Sequence, residues 1–359
     1  MSNYLLAGGG TAGHVNPLLA LAETIRNAEP DSNVLTLGTA EGLEARLVPQ
    51  RGFELATIAK LPFPRKPSLY AVAFPFKFLG ATLKVLRIIR DREISCVVGF
   101  GGYASAPAYL AARLSKTPLV IHEANALPGW ANRWGAKWAS AVAVTFGNTQ
   151  LPNSTVTGMP LRREIEILDV DSAREMARVS FGLDPQAATI LVTGGSLGAR
   201  RINEAVIASR SLLEAAGIQV LHIVGEAAGL PEEKVGGYLR LTYCDRMDQA
   251  FAAADLVISR AGASTVSEIS ALGIPAVYVP YPVGNGEQSF NAADAIAAQA
   301  ARMVLDKDFD ADFIAREIIP LVSSRPKLNE LAKNAGEIGI RNGSARLLAL
   351  VSGVLRRAR

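Results

Sequence analysis

Twice along this chain a short apolar run opens straight onto a glycine-rich loop, and each time a helical stretch follows. The first is Tyr4-Leu5-Leu6-Ala7, then Gly8-Gly9-Gly10-Thr11-Ala12-Gly13-His14, then an apolar stretch opened by Asn16-Pro17. Asparagine before proline reads as a helix start, because the cap satisfies a free N–H and proline fits the first turn. The second is Thr189–Thr193, then Gly194-Gly195-Ser196-Leu197-Gly198-Ala199-Arg200, with a helix expected from about Asn203. Two such beginnings imply two nucleotide-fold halves, and 359 residues suffice for two domains.

Short β-branched or apolar runs at Asn33–Leu37, Ile94–Val98, Leu119–Ile121 and Ala141–Val144 continue the first half. Runs at Gln219–Ile223, Leu239–Tyr243, Leu256–Ile258, Ala276–Val279 and Met303–Leu305 continue the second. Helical stretches such as Tyr109–Leu114 lie between them, so the pattern is α/β with mostly parallel sheets covered on both faces. The boundary is expected between Gly158 and Pro185. The segment Ser344–Arg359, with Leu347, Leu348, Val351 and Leu355, reads as an amphipathic helix that must dock somewhere.

The bulk numbers exclude several classes. With 49% hydrophobic and 19% charged residues the chain can build cores, so global disorder is ruled out. A net charge of +4, from 37 basic and 33 acidic residues, is too small to imply nucleic acid. It suits anionic substrates or an anionic bilayer. Cys96 and Cys244 fit no metal-ligand spacing and read as thiols in a reducing compartment. Met1 to Leu6 runs directly into a strand, without a charged leader or cleavage site, so a cytoplasmic chain is expected.

A glycine loop at a strand-to-helix junction points free N–H groups at negative charge. The first loop lacks the Gly-x-Gly-x-x-Gly spacing of a dinucleotide fold. No strand-end acid for an adenosine ribose is evident either, since Glu41 comes after Gly38-Thr39-Ala40. No Gly-Lys-Ser/Thr occurs, which excludes a P-loop. What remains is phosphate or sugar near a helix end, or a plain tight turn. His14, one of three histidines, reads either as a capping or packing residue or as a general base for a hydroxyl.

Seven segments, in order, carry a family likeness. They are Gly8–His14 continuing through Val15-Asn16-Pro17; Gly101-Gly102-Tyr103; His122-Glu123-Ala124-Asn125; Gly158-Met159-Pro160-Leu161-Arg162; Gly194–Arg200; Arg260–Glu268; and Glu287–Ala292. From end to end the chain resembles the MurG family of peptidoglycan glycosyltransferases. The resemblance implies the GT-B fold, two Rossmann-like doubly wound domains facing across a cleft. It also implies an acceptor domain over 1–162, a donor domain over 163–340, and a C-terminal helix over 341–359 packing back on the first domain. The implied reaction transfers N-acetylglucosamine from UDP-N-acetylglucosamine to the muramoyl 4-hydroxyl of lipid I. It inverts the anomeric carbon and gives lipid II and UDP. Departures are Ala12, Ala124, Ala126, Ala261, Met159 and Glu287. The last of these stands where family members carry glutamine, which shifts weight onto Gln288.

On the donor side, backbone N–H groups at Gly195 and its neighbours, with the Ser196 hydroxyl, would hold the departing diphosphate. No acidic metal triad stands out, so neither a metal nor another cofactor is expected. The resemblance implies that Glu268 accepts the ribose hydroxyls, that Ala263 N–H and nearby Thr265 meet the sugar, and that backbone at Cys244 reads uracil. It places Arg162 near the base or phosphates, and Gln288 and Asn291 read as sugar-hydroxyl contacts or helix-start residues. On the acceptor side, His14 is the expected base, with Thr11, Gly13, Tyr103, Glu123 and Asn125 around it.

The stretch from Leu61 to Arg90 is apolar with interleaved charge at Lys77, Lys84, Arg87 and Arg90, and Pro75 interrupts it. The charges come too soon for a membrane span. It reads as a basic, apolar patch lying on an anionic inner-leaflet surface, or as an ordinary core helix with solvated lysines. Trp130, Trp134 and Trp138 share one helical face, as interface belt or as packing. Peripheral attachment to the cytoplasmic face of the membrane follows from the first reading, with cell-wall and division machinery as further partners implied by the family. The alternatives are another UDP-sugar enzyme of the same fold, such as a 2-epimerase or a transferase with a different acceptor, and a non-catalytic sugar-nucleotide-binding subunit.

Overall fold

The computed structural model describes residues 2–64, 66–194, 199–283 and 285–358. They form two units, Met1–Arg162 with Asn342–Arg359, and Arg163–Arg341.

The first unit is built on β1 (Asn3–Ala7), β2 (Asn33–Thr39), β3 (Glu54–Ile58), β4 (Cys96–Gly99), β5 (Leu119–Glu123), β6 (Ala141–Val144) and β7 (Ser154–Val156). Their order is β3-β2-β1-β4-β5-β6-β7 and every pairing is parallel. The chain moves one way from β1 to β2 and the other way to β4, which leaves a crevice at the carboxyl ends where the direction switches. Central strands are buried on both faces, which is why they read as unbroken apolar runs. The helix Gly343–Ala358 belongs to this unit: Leu347, Leu348, Val351 and Val354 pack into one core with Leu18, Leu21 and Ile25.

The second unit repeats the plan with β8 (Thr189–Thr193), β9 (Gln219–Ile223), β10 (Glu233–Val235), β11 (Tyr238–Leu241), β12 (Leu256–Ser259), β13 (Ala276–Tyr278) and β14 (Ala301–Met303). The order is β10-β11-β9-β8-β12-β13-β14, with only the edge strand β10 antiparallel. Here the direction switches at β8.

Three local expectations are corrected. Helix α1 spans Ala12–Ala28, so it starts before Asn16-Pro17 and carries Pro17 inside. The reason lies in the loop: Gly10 turns with φ +90° and Thr11 is extended, so helical geometry begins immediately after them. The helix after β8 likewise starts at Arg200 rather than near Asn203. Pro75 does not interrupt its segment, because the helix runs unbroken through it from Leu69 to Asp91.

Two fully buried histidines make each unit sensitive to acid. His122 bonds through Nε2 to the Gly158 carbonyl at 3.1 Å, and burial pushes its pKa down to about 4. His222 sits between the Tyr238 hydroxyl at 2.8 Å and Asn203 Oδ1 at 3.0 Å, and burial, aided by Arg240, lowers it to about 3. A depressed histidine favours the folded state fully above the unfolded value of ~6.5, and that advantage is lost as pH falls towards the folded value. Lowering the pH from 7 to 5 should therefore cost about 2 kcal/mol per histidine. Denaturant titrations at the two pH values check this; equal midpoints in wild type would refute it.

Candidate functional site

In the first unit the expected acceptor-side residues gather at the carboxyl ends of β1, β4 and β5. Thr11 caps α1 by backbone alone, without a side-chain hydrogen bond to the helix. Gly13 is the second helical residue, in the turn whose N–H groups lack helical partners. His14 follows, half-buried, with Nδ1 at 3.1 Å from the Gly9 carbonyl and 3.3 Å from Thr11 Oγ1. A carbonyl only accepts, so Nδ1 is the donor in this bond, and in a neutral ring Nε2 carries the lone pair. Nε2 faces the second glycine loop, where a Cβ on Gly101 would stand 3.2 Å from it. Gly102 presses still closer, since a Cβ there would collide with the backbone of Gly9. Tyr103, next in that loop, is exposed beside Gly10, with Lys60 Nζ 5.5 Å from its ring centroid.

Glu123 is only 2% exposed. It ends the central strand β5 and is buried, accepting from the amides of Asn125 and Gly129 and from Asn132 Nδ2, each at 2.9 Å. Burial pushes its carboxyl up, and these donors partly offset the rise. Its work is to shape the 125–129 loop and so to place Asn125, which is half-buried.

In the second unit the donor-side residues lie along the carboxyl edge of the sheet, where β8 and β12 are neighbours. Gly195 and Ser196 lie outside the described residues. Gly262 is the extended cap of the helix Ala263–Leu272, which makes Ala263 its first residue and Thr265 its third. The first N–H groups of that helix are free to donate to a ligand. Glu268 is half-buried, five residues further along the same helix. Cys244 follows β11 in the loop before the next helix, and burial raises its thiol. Gln288 accepts from the Tyr281 amide through Oε1 at 2.9 Å, leaving its NH₂ group for a ligand. For Asn291 the helix-start reading is corrected. It ends the helix Glu287–Asn291 and is buried, with Nδ2 donating to the Ala261 carbonyl at 3.2 Å. That bond braces the turn before Ala263. Arg162 ends the first of the two segments that make up the first unit, and it is half-buried.

The chain matches the model of the glycosyltransferase family 28 N-terminal domain over residues 4–144 and that of its C-terminal domain over 189–347. The chain belongs to glycosyltransferase family 28. A relative from Clavibacter sepedonicus is 54% identical over 98% of this chain and 96% of its own length. That protein is a UDP-N-acetylglucosamine–N-acetylmuramyl-(pentapeptide) pyrophosphoryl-undecaprenol N-acetylglucosamine transferase. Among solved structures, Acinetobacter baumannii MurG aligns with TM-score 0.78 at 28% identity, covering 98% of this chain and 100% of that one. A putative UDP-N-acetylglucosamine 2-epimerase from Listeria monocytogenes shares the fold, with TM-score 0.70 at 13% identity over 99% of this chain and 98% of that one. The two sheet-and-helix units are the GT-B architecture of MurG within family 28.

Sequence reasoning missed three residues that brace the loops of this candidate site. Ser105 Oγ donates to Ala7 O at 3.0 Å and Gly101 O at 2.7 Å, stitching the second glycine loop to β1. Asn132 bridges Glu123 to the Tyr109 hydroxyl, which donates to its Oδ1 at 2.6 Å. A lone asparagine among the tryptophans of Trp130–Gly135 was the available signal. Glu44 is the third.

Proposed function

We propose that this family 28 protein transfers N-acetylglucosamine from UDP-N-acetylglucosamine to the 4-hydroxyl of the muramoyl sugar on undecaprenyl-pyrophosphoryl-MurNAc-pentapeptide. The observation that carries this reading is the 54% identity, over 98% of the chain, to a transferase of that specificity. His14 Nε2 takes the proton from the acceptor hydroxyl as its oxygen attacks the anomeric carbon. The bond to the diphosphate breaks on the opposite face, so configuration inverts, and UDP departs with the electron pair. The half-buried imidazole, held by its Nδ1 side, supports this role. In the second unit, the amide of Ala263, the hydroxyl of Thr265, Glu268 and the amide of Gln288 are placed for the donor, with Gly195, Ser196, backbone at Cys244 and Arg162 as further contacts. The test is UDP release with the lipid-linked acceptor present and absent. Release only with acceptor, yielding the disaccharide lipid, supports the transferase. Conversion of UDP-N-acetylglucosamine without acceptor would favour a 2-epimerase, for which the likeness is one of fold.

A lipid-linked acceptor calls for a membrane surface, and helix α3 (Leu69–Asp91) supplies a fitting face. Leu69, Val72, Phe76, Leu79 and Leu83 repeat at three- and four-residue spacing on one side, and all are exposed, Leu69 by 92% and Phe76 by 76%. The opposite side, with Ala81, Val85 and Ile89, fills the core. A helix apolar on two sides has more than its own domain to pack against. Trp134 and Trp138 lean on that core, whereas Trp130 stays 45% exposed and meets Phe63 at a tilt of 38°, ring centroids 4.9 Å apart. Among the described residues no helix is long and apolar enough to cross a membrane. We place the protein at the cytoplasmic face of the membrane, bound through α3. Replacing Lys77, Lys84 and Arg87 by glutamine should weaken binding to anionic vesicles at least tenfold, at about 1 kcal/mol per charge. Unchanged co-sedimentation would dismiss this face.

A further inference from the structure

Glu44 opens helix α2 (Glu44–Gln50) and is only 1% exposed. Among the described residues it has no ion pair. Instead its carboxylate occupies a box walled by glycine, since a Cβ on Gly9, Gly38 or Gly42 would collide with it. Oε1 accepts from the Thr39 amide and from the Thr39 hydroxyl, both at 2.8 Å, and Oε2 accepts from the Gly10 amide at 2.9 Å. Burial would raise this carboxyl, but the amides of Gly10, Glu44 itself and Thr39, with the Thr39 hydroxyl, outweigh it. The group stays below the usual carboxylate range and is ionised at neutral pH.

The Gly10 N–H and the Gly9 carbonyl are two ends of one peptide group. That carbonyl is the partner of His14 Nδ1 at 3.1 Å. A peptide is planar and trans, so the direction of its N–H fixes the direction of its C=O. Glycine on both sides of this peptide supplies little stiffness of its own, with Gly10 at φ +90°. The carboxylate supplies what glycine lacks. An ionised acceptor also makes the N–H bond charge-assisted and polarises the C=O at the far end towards the imidazole.

We propose that Glu44 is a positioning residue for catalysis, acting on His14 through the Gly9–Gly10 peptide. It holds the ring as the Nδ1–H tautomer, with Nε2 free to receive the acceptor's proton. This rests on the reading of His14 as base. The arrangement runs carboxylate, peptide, imidazole, with the peptide standing where a direct carboxylate–histidine contact would otherwise be needed. It also gives a reason for glycines at three separated positions, 9, 38 and 42, all of which make room for one acid.

The first test uses the unaltered protein. The rings of His122 and His222 bond through Nε2 to the Gly158 carbonyl and Asn203 Oδ1, so both are Nε2–H tautomers. In ¹⁵N-histidine-labelled protein at pH 7.5, His14 alone should show the Nδ1–H pattern, with its signal assigned by loss in His14→Ala. An Nε2–H pattern for His14 overturns the proposal without any variant of Glu44. Next, Glu44→Gln keeps the volume but leaves an NH₂ group facing one of the donors. The His14 signal should move to a tautomer mixture, and kcat with the lipid acceptor should fall about tenfold, while KM for UDP-N-acetylglucosamine stays within twofold. In a His14→Ala background, Glu44→Gln should cost less than twofold more, because the group it acts through is already gone. A full tenfold loss there would mean that Glu44 merely holds the fold, and the proposal falls. Should His14→Ala itself turn over normally, the base reading fails, and the tautomer measurement alone decides whether Glu44 orients the ring.

Discussion

His14→Ala is expected to lower turnover by about 100-fold or more while UDP binding stays within twofold of wild type. The separation follows from where the groups lie. His14 sits in the first turn of α1, in the unit Met1–Arg162, whereas the helix starts offered for the nucleotide belong to Arg163–Arg341. Its Nδ1 is engaged by Gly9, so the side chain has one free nitrogen and one direction in which to use it. Proton transfer matters as the acceptor oxygen attacks, so the loss should fall on kcat rather than on KM for the donor. Steady-state kinetics with the lipid-linked acceptor, beside calorimetry with UDP, measures both. Turnover within threefold of wild type would remove His14 from the base role. A parallel loss of UDP binding would mean that the substitution had damaged more than the proton path.

The features that were legible in the sequence are those determined by neighbours along the chain. β1 and β8 could be read because central parallel strands are buried on both faces, and burial writes itself as a run such as Tyr4–Ala7 or Thr189–Thr193. The edge strands β3, β7 and β10 could not. Ser154–Val156 is exposed at every residue, and Glu54–Ile58 and Glu233–Val235 are mostly half-exposed or exposed, so neither an apolar run nor a turn marks them. The glycine loops and His14 stood out by composition. Glu44 did not, because its meaning depends on Gly9, Gly38 and Gly42, which only the β1–β2 pairing brings together. Glu41 is the acid that follows β2 first, and Glu44, three residues later, is the one that is buried. Glu123 and Asn291 were legible as motif residues, but their burial was not. Their motifs announce importance, but both side chains turn inward and position a loop.

The largest expected loss of stability comes from Asp255, remote from the motifs. It precedes β12 and is 7% exposed, and its partner Arg178, on the helix Val170–Ser180, is 4% exposed. Asp255 Oδ2 accepts from Arg178 Nη2 at 2.7 Å and from the Thr189 amide at 2.8 Å, joining that helix to β8. Two more guanidinium N–H groups reach the Ala253 carbonyl at 2.9 Å and the Pro185 carbonyl at 3.0 Å. Each guanidinium nitrogen is therefore engaged, and the arginine stays buried when its counter-charge is removed. Asp255→Ala leaves a buried cation and an orphaned amide, a change that costs about 3–5 kcal/mol. Arg325 also reaches Asp255, at 3.2 Å, but its side chain is 66% exposed, so Arg325→Ala should cost at most about 1 kcal/mol. Replacing Arg178 by methionine together with Asp255→Ala should recover much of the loss, since no uncompensated charge is then buried. Hydrogen exchange on peptides covering β8 and β12, with denaturant midpoints, separates these cases. If Asp255→Ala cost no more than Arg325→Ala, the buried pair would not be what ties the helix to the sheet, and the packing of Ile190, Leu256 and Ile258 alone would have to hold that edge of the core.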